Sequence, residues 1–286
     1  MTKSFNIVFM GTPAFAVPSL SALHHSHHTV LQVVTQPDRP KGRGRSVAPP
    51  PVKVAAQGFG IPVVQPEKVK TKVFIDSLSQ LRPDLLIVAA YGHILPITVL
   101  EIPIIGCINI HASVLPKYRG AAPIQWAIIN GEKETGVTTM MMDVGMDTGD
   151  ILLTRTEPIK QDDTAVTLHD RLATLGADVL IDTLNRLAND HLKARAQDNS
   201  QTTMAPMLKK DDGRIDWNRS APAIANQIRG MTPWPGTFAF LGDKRLKIFS
   251  AVPVASDSTG TPGTILVGFP DELRVATGDG ALSVLE

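Results

Sequence analysis

Two polar side chains close an otherwise apolar run in Gly106-Cys107-Ile108-Asn109-Ile110-His111. Residues two apart on a strand point to the same face, so Asn109 and His111 would project together. An amide and an imidazole at the carboxyl end of a parallel strand stand where open α/β sheets place their sites. Asp147 follows in Met142-Asp143-Val144-Gly145-Met146-Asp147-Thr148-Gly149-Asp150, where two glycines let a loop turn sharply and approach a ligand. These groups suit acyl transfer to an amine. Its tetrahedral intermediate carries an oxyanion, and aimed hydrogen-bond donors stabilise it. Asn109 can donate from its amide, and a protonated His111 can do the same. Asp147 could orient the imidazole and help move the proton that the amine loses. No covalent nucleophile is needed. The plainer reading of the pair is structural, with Asn109 capping a turn and His111 satisfied by a backbone carbonyl.

The elements that must position this cluster read as an α/β domain. Short apolar runs at residues 5–10, 30–35, 61–64, 85–89, 104–110 and 137–142 alternate with helical patterns at 13–23, 71–81 and 123–130. A long amphipathic helix is expected over 164–188. Residues 190–207 are polar and read as a linker, leaving 1–189 as the catalytic domain. Beyond residue 208, short alternating segments separated by Gly, Pro and Asp predict a small all-β domain. The expected fold is thus Rossmann-like with a mostly parallel sheet, followed by that β domain. Residues 281–286 read as a strand lacking its partner, as if the chain were cut short.

Composition narrows the function further. The chain has 286 residues, 43% of them hydrophobic, and a net charge of only +1. A nucleic-acid role would therefore have to rest on local basic patches. Cys107 is the single cysteine, which excludes an internal disulfide and any Cys-based metal cage. The apolar run at 5–10 is too short for a signal-peptide core or a membrane span, so a soluble, cytoplasmic protein is expected. Gly11-Thr12-Pro13 is no dinucleotide fingerprint, and neither a nicotinamide cofactor nor a metal is expected. His24, His25, His27 and His28 read as a polar connection, and Trp217 and Trp234 as core residues.

One segment does concentrate positive charge. Arg39, Lys41, Arg43 and Arg45 place four cations within seven residues, interleaved with Gly and Pro. Such a loop is expected to stay neither helical nor extended. It could reach a nucleic-acid groove and bind phosphates, or it could be a solvated surface loop.

The run from Asn109 through Ser113-Val114-Leu115-Pro116-Lys117-Tyr118-Arg119-Gly120 to Pro123, with the later Asp-x-Gly-x-Asp-Thr-Gly-Asp, resembles the folate-dependent formyltransferases. Ala112 and Val114 depart mildly from the family pattern. The resemblance implies that Asn109, His111 and Asp147 are catalytic. It implies 10-formyltetrahydrofolate as co-substrate, held by Tyr91, Gly92, Ile94, Leu95, Ser113, Leu115, Pro116 and Gly145. The Gln-Pro-Asp-x-Pro-x-Gly-Arg-Gly pattern at 36–44 resembles the tRNA-reading loop of the methionyl-tRNA formyltransferases, with Arg43 matching its key arginine. Initiator methionyl-tRNA is then the implied partner, contacted by Arg39, Lys41, Arg43, Arg45, Lys209 and Lys210. More weakly implied contacts are Lys244, Arg245 and Lys247. The resemblance further implies an OB-like barrel after residue 208, and a monomer is expected. Two rivals remain open at this point: a formyl-transferring enzyme for a small amine or water, and a non-catalytic RNA-binding module.

Overall fold

The computed structural model describes residues 3–41, 46–255 and 260–286. The chain forms two compact units from interleaved stretches. The first comprises Met1–Arg119, Gly136–Glu157 and Asp170–Thr203; the second comprises Gly120–Thr135, Pro158–His169 and Met204–Glu286.

The strands of the first part run β1 (Asn6–Gly11), β2 (Thr29–Val34), β3 (Arg39–Lys41), β4 (Ser46–Ala48), β5 (Val63–Val64), β6 (Leu85–Ala89), β7 (Gly106–His111), β8 (Glu134–Met141) and β9 (Ile151–Pro158). Seven of them form one sheet in the order β5-β2-β1-β6-β7-β8-β9. The pairs from β5 through β7 are parallel, and β8 then runs antiparallel to β7. Ile7 to Met10 and Leu85 to Ala89 are buried, as continuous apolar strands covered on both faces must be. The helices are α1 (Val17–His24), α2 (Pro51–Gly58), α3 (Lys72–Gln80), α4 (Ile97–Leu100), α5 (Pro123–Ile129), α6 (Ala165–Ala188) and α7 (Ala221–Met231). Pro13 does not open α1 directly. A 3-10 turn at Ala14–Ala16 intervenes, and Pro18 takes the first turn of the α-helix.

His28 illustrates how the polar connection before β2 is tied down. Its Nδ1 accepts the backbone N–H of Phe5 at 3.2 Å, and its ring stacks on Phe5 with centroids 5.2 Å apart. Burial, with His27 beside it, pushes the imidazole down to about 4.

The second unit holds α5, α7 and the late strands β10 (Thr237–Leu241), β11 (Lys244–Ile248), β12 (Ala251–Val254), β13 (Ile265–Leu266), β14 (Leu273–Ala276) and β15 (Ala281–Val284). β10 and β11 form a hairpin, and the others a four-stranded sheet in the order β12-β15-β14-β13. The expected lone terminal strand is corrected here, because β15 pairs antiparallel with both β12 and β14. Helix α7 was not foreseen. Its Ile224, Ala225 and Ile228 bury against Ile215, Ala239, Ile248 and Leu282, so a helix lies in the core of the β unit. Trp217 packs partly buried on that core, whereas Trp234 is 55% exposed and is not the core residue expected. Among the described residues no helix is long and apolar enough to cross a membrane.

Candidate active site

β7 ends at His111 on the carboxyl edge of the parallel strands, with Asn109 in register with Val88 of β6. On the other side, His111 lies opposite Thr138 and Asn109 opposite Met140 of β8. The 142–150 loop that joins β8 to β9 returns Asp147 to this point.

The imidazole of His111 is buried, and its Nε2 lies 2.9 Å from the carbonyl oxygen of Tyr118. A carbonyl can only accept, so Nε2 carries a hydrogen. Nδ1 faces Asp147 Oδ1 at 3.6 Å, too long for a hydrogen bond and an ion pair only when Nδ1 also carries a proton. Asn109 Nδ2 donates to the same Oδ1 at 3.3 Å. A carboxylate facing the amide fixes which end of Asn109 is the NH2, and its second hydrogen is left for another acceptor. The backbone carbonyl foreseen in the structural reading of His111 is therefore real, yet it engages only one ring nitrogen.

Local structure holds each of these groups. Asp147 sits in the left-handed region with φ 54°, which Asp tolerates better than most residues. Within its loop, Asp143 Oδ1 accepts from Gly145 N–H at 3.0 Å and from Thr148 Oγ1 at 2.6 Å. The loop closes where Met141 N–H donates to Asp150 O at 2.9 Å. Gly149 is required by space, since a Cβ there would overlap the carbonyl of Met141. The 112–119 loop is pinned by Thr138, whose Oγ1 donates to Ser113 O at 2.7 Å and accepts from Leu115 N–H at 3.2 Å. Ser113 Oγ donates to Lys117 O at 2.6 Å, and Tyr118 N–H to Thr203 Oγ1 at 2.9 Å.

The expected donor-binding residues divide into those at the surface and those beneath it. Gly92, Ile94 and Gly145 are exposed and Pro116 is half-buried, while Tyr91, Leu95, Ser113 and Leu115 are buried. Tyr91 packs with Val88, Leu95 and Cys107, and burial pushes its phenol up to about 12. What Tyr91 offers at the edge is backbone: its carbonyl accepts from Thr12 Oγ1 and Gln36 Nε2, each at 3.0 Å. Gly92 has φ 86°, and a Cβ would stand 2.6 Å from Gln36 Nε2. Apolar Ile94, Val144 and Met146 stand exposed in the 91–96 and 142–147 segments. A cleft of ≈ 290 Å³ beside His93 and Ile94 is lined further by Val69, Lys70 and Pro96. Exposed apolar side chains next to a backbone edge fit a heterocyclic ligand.

Sequence reasoning missed Gln197 and gave Arg119 no role. The stretch read as a linker binds instead into this unit: Arg195 bridges to Ile151, and Gln197 Nε2 donates to Asp147 O at 2.9 Å and Gly149 O at 2.7 Å. Fifty residues separate Gln197 from Asp147, and no local pattern marks a contact of that range.

Among the basic residues, Arg39 is exposed and Lys41 closes β3, which pairs antiparallel with β4. The flanks of the basic loop are thus extended, contrary to expectation, because each strand supplies the other's hydrogen bonds. Arg43 and Arg45 lie outside the described residues. At the foot of this hairpin, Lys53 Nζ donates to both oxygens of Asp38, at 2.9 and 2.7 Å, and Gln65 Nε2 donates to Asp38 Oδ1 at 2.7 Å. The hydrogen bonds from Lys53 and then Gln65 hold the Asp38 carboxyl below its usual range. In the other unit, Lys209 and Lys210 are exposed at a 3-10 turn, and Lys244, Arg245 and Lys247 line the exposed strand β11. Arg245 lies over the ring of Phe238 at 3.6 Å.

Residues 5–184 match the formyl transferase family, and residues 207–286 match the formyl transferase C-terminal domain. A methionyl-tRNA formyltransferase from Citrifermentans bemidjiense is 58% identical over 98% of this chain and 87% of its own length. Another, from Geotalea uraniireducens, is 52% identical over 98% of the chain and 89% of its own. Among solved structures, the N-formyltransferase from Helicobacter canadensis, in complex with folinic acid and dTDP-3-aminofucose, shares the fold. Its TM-score is 0.72 at 20% identity, covering 98% of both chains. HypX from Aquifex aeolicus in complex with tetrahydrofolic acid gives a TM-score of 0.67 at 18% identity, over 99% of this chain and 44% of its own. With both family domains matched in order and relatives more than half identical across nearly all of its length, the chain belongs to the formyl transferase family, in company with the methionyl-tRNA formyltransferases.

Proposed function

We propose that this protein transfers the formyl group of 10-formyltetrahydrofolate to the α-amino group of methionine on initiator methionyl-tRNA, for translation initiation. The observation that carries the chemistry is the convergence of Asn109 Nδ2 and His111 Nδ1 on one oxygen of Asp147, at the carboxyl edge of the sheet. The substrate follows from the relatives that share half or more of its residues and are themselves methionyl-tRNA formyltransferases.

In this reading the donor brings an activated formyl carbon, and the 91–96 segment with the 142–147 loop holds its ring system. The neutral methionyl amine attacks that carbon. The free hydrogen of the Asn109 amide and the Nδ1–H of a protonated His111 stabilise the oxyanion. Asp147 orients both donors and takes part in moving the proton from the amine toward the departing nitrogen. A C–N bond forms to methionine, the C–N bond to the donor breaks, and the proton lost by one nitrogen ends on the other. The anchored Nε2 of His111 stays out of the reaction, because the carbonyl of Tyr118 holds it. Arg39, Lys41, Arg43 and Arg45, with Lys209 and Lys210, supply phosphate contacts to the tRNA.

The test is to supply 10-formyltetrahydrofolate with charged initiator methionyl-tRNA and, beside it, elongator methionyl-tRNA. The proposal expects formyl-methionine on the initiator only. Transfer to neither tRNA by protein that is folded and binds the donor would point instead to a small-amine substrate.

A further inference from the structure

Arg119 is a buried cation, 5% exposed, in the same unit as the catalytic cluster. Its Nε and Nη2 donate to Gln197 Oε1 at 3.0 and 2.7 Å, and Nη2 also donates to Asn199 Oδ1 at 2.9 Å. Gln197 is thereby oriented at one end by a donor that only an oxygen can meet. At its other end Nε2 must then be the group presented, and it donates to the carbonyls of Asp147 and Gly149. Both ends of the amide are fixed by chemistry, so its orientation needs no further assumption.

These carbonyls belong to the part of the loop where the backbone is least ordinary. Asp147 holds φ 54°, and Gly149 is packed so closely on Met141 that no side chain fits. Such a conformation persists only where surrounding structure over-determines it. The side chain of Asp147 points at Asn109 and His111, while the carbonyl oxygen of the same residue is gripped by Gln197. We infer that Gln197, held by Arg119, is a positioning residue that sets the Asp147 carboxylate against Asn109 and His111. The inference rests on the reading of Asp147 as catalytic. It assigns a working role to the polar stretch after α6, which composition alone presents as a connector.

Gln197→Glu separates this role from a merely structural one. The carboxylate it introduces still accepts from Arg119, now with charge assistance, but it can donate to neither carbonyl. The expected result is a Tm lowered by the two lost hydrogen bonds, a kcat for formyl transfer, measured well below that Tm, lowered about 10- to 100-fold by misplacement of the Asp147 carboxylate, and a KM for methionyl-tRNA within about twofold of wild type. A wild-type kcat in folded Gln197→Glu protein, or a raised KM with kcat unchanged, would overturn it. Arg119→Lys carries the same test from the other side should Gln197→Glu not fold: the charge stays but the fork that orients Gln197 is lost. A wild-type kcat in that variant would equally overturn the inference. Asp147→Asn is measured alongside, and full activity there would sink the reading of Asp147 itself, and the inference with it.

Discussion

Asn109 Nδ2 donates to Asp147 Oδ1 at 3.3 Å, so the amide expected to meet the substrate is held by the carboxylate beside it. One of its hydrogens is committed, and in the proposed reaction the other is left for the reacting oxygen. Asn109→Ala should therefore lower kcat by on the order of 10²–10³. Affinity for methionyl-tRNA, read by a binding assay without the formyl donor, should stay unchanged. Lost tRNA affinity with turnover intact would remove Asn109 from the chemistry.

The 142–150 loop has little room to adapt. A methyl group at Gly149 would meet the carbonyl of Met141, and neither backbone can retreat without breaking the closure between Met141 N–H and Asp150 O. Gly149→Ala should cost about 1–3 kcal/mol as an overpacked site, and lower kcat because Asp147 moves with the loop. Thermal unfolding and turnover measured on one preparation check both effects. A variant with wild-type Tm and kcat would show the loop to be looser than its geometry requires.

His28 makes stability depend on pH. Its folded form holds the proton only below about 4, because burial and then His27 oppose the charge. The unfolded imidazole takes it near 6.5. As pH falls below about 6.5 the unfolded chain binds a proton that the folded chain refuses, so stability declines until about pH 4 and this contribution then levels off. Protonation at Nδ1 would also break the bond from Phe5 N–H. Urea midpoints between pH 7 and 4 should fall more steeply for wild type than for His28→Gln. Parallel slopes would place the sensitivity elsewhere.

Cys107 lies on the strand that carries Asn109 and His111, yet it is buried and its thiol is pushed up to about 12. Its Sγ donates weakly to Leu100 O at 3.6 Å. A thiol so far from ionised at neutral pH is a poor nucleophile. Iodoacetamide at pH 8 should leave the folded protein unlabelled and active, and label it at once in denaturant. Rapid labelling of the native protein would contradict the burial.

The α/β architecture was legible because buried parallel strands are written as continuous apolar runs, and the run at residues 85–89 is β6 residue for residue. The pairing of Asn109 with His111 was legible for a related reason: they sit two apart on a strand, a spacing local sequence displays directly. The sequence thus displayed which polar side chains stand together on that edge. It could not display what depends on distant partners. That β15 lies between β12 and β14, that α7 fills the core of the β unit, and that Gln197 grips Asp147 are decided by contacts between residues far apart in the chain. Polar residues such as Gln197 have no periodicity to betray them, and their hydrogen bonds exist only once the fold has closed. The tertiary structure alone decided which ring nitrogen of His111 is anchored, the orientation of Asn109 and the grip on the loop. Each depends on a carbonyl or carboxylate that the chain brings in from elsewhere.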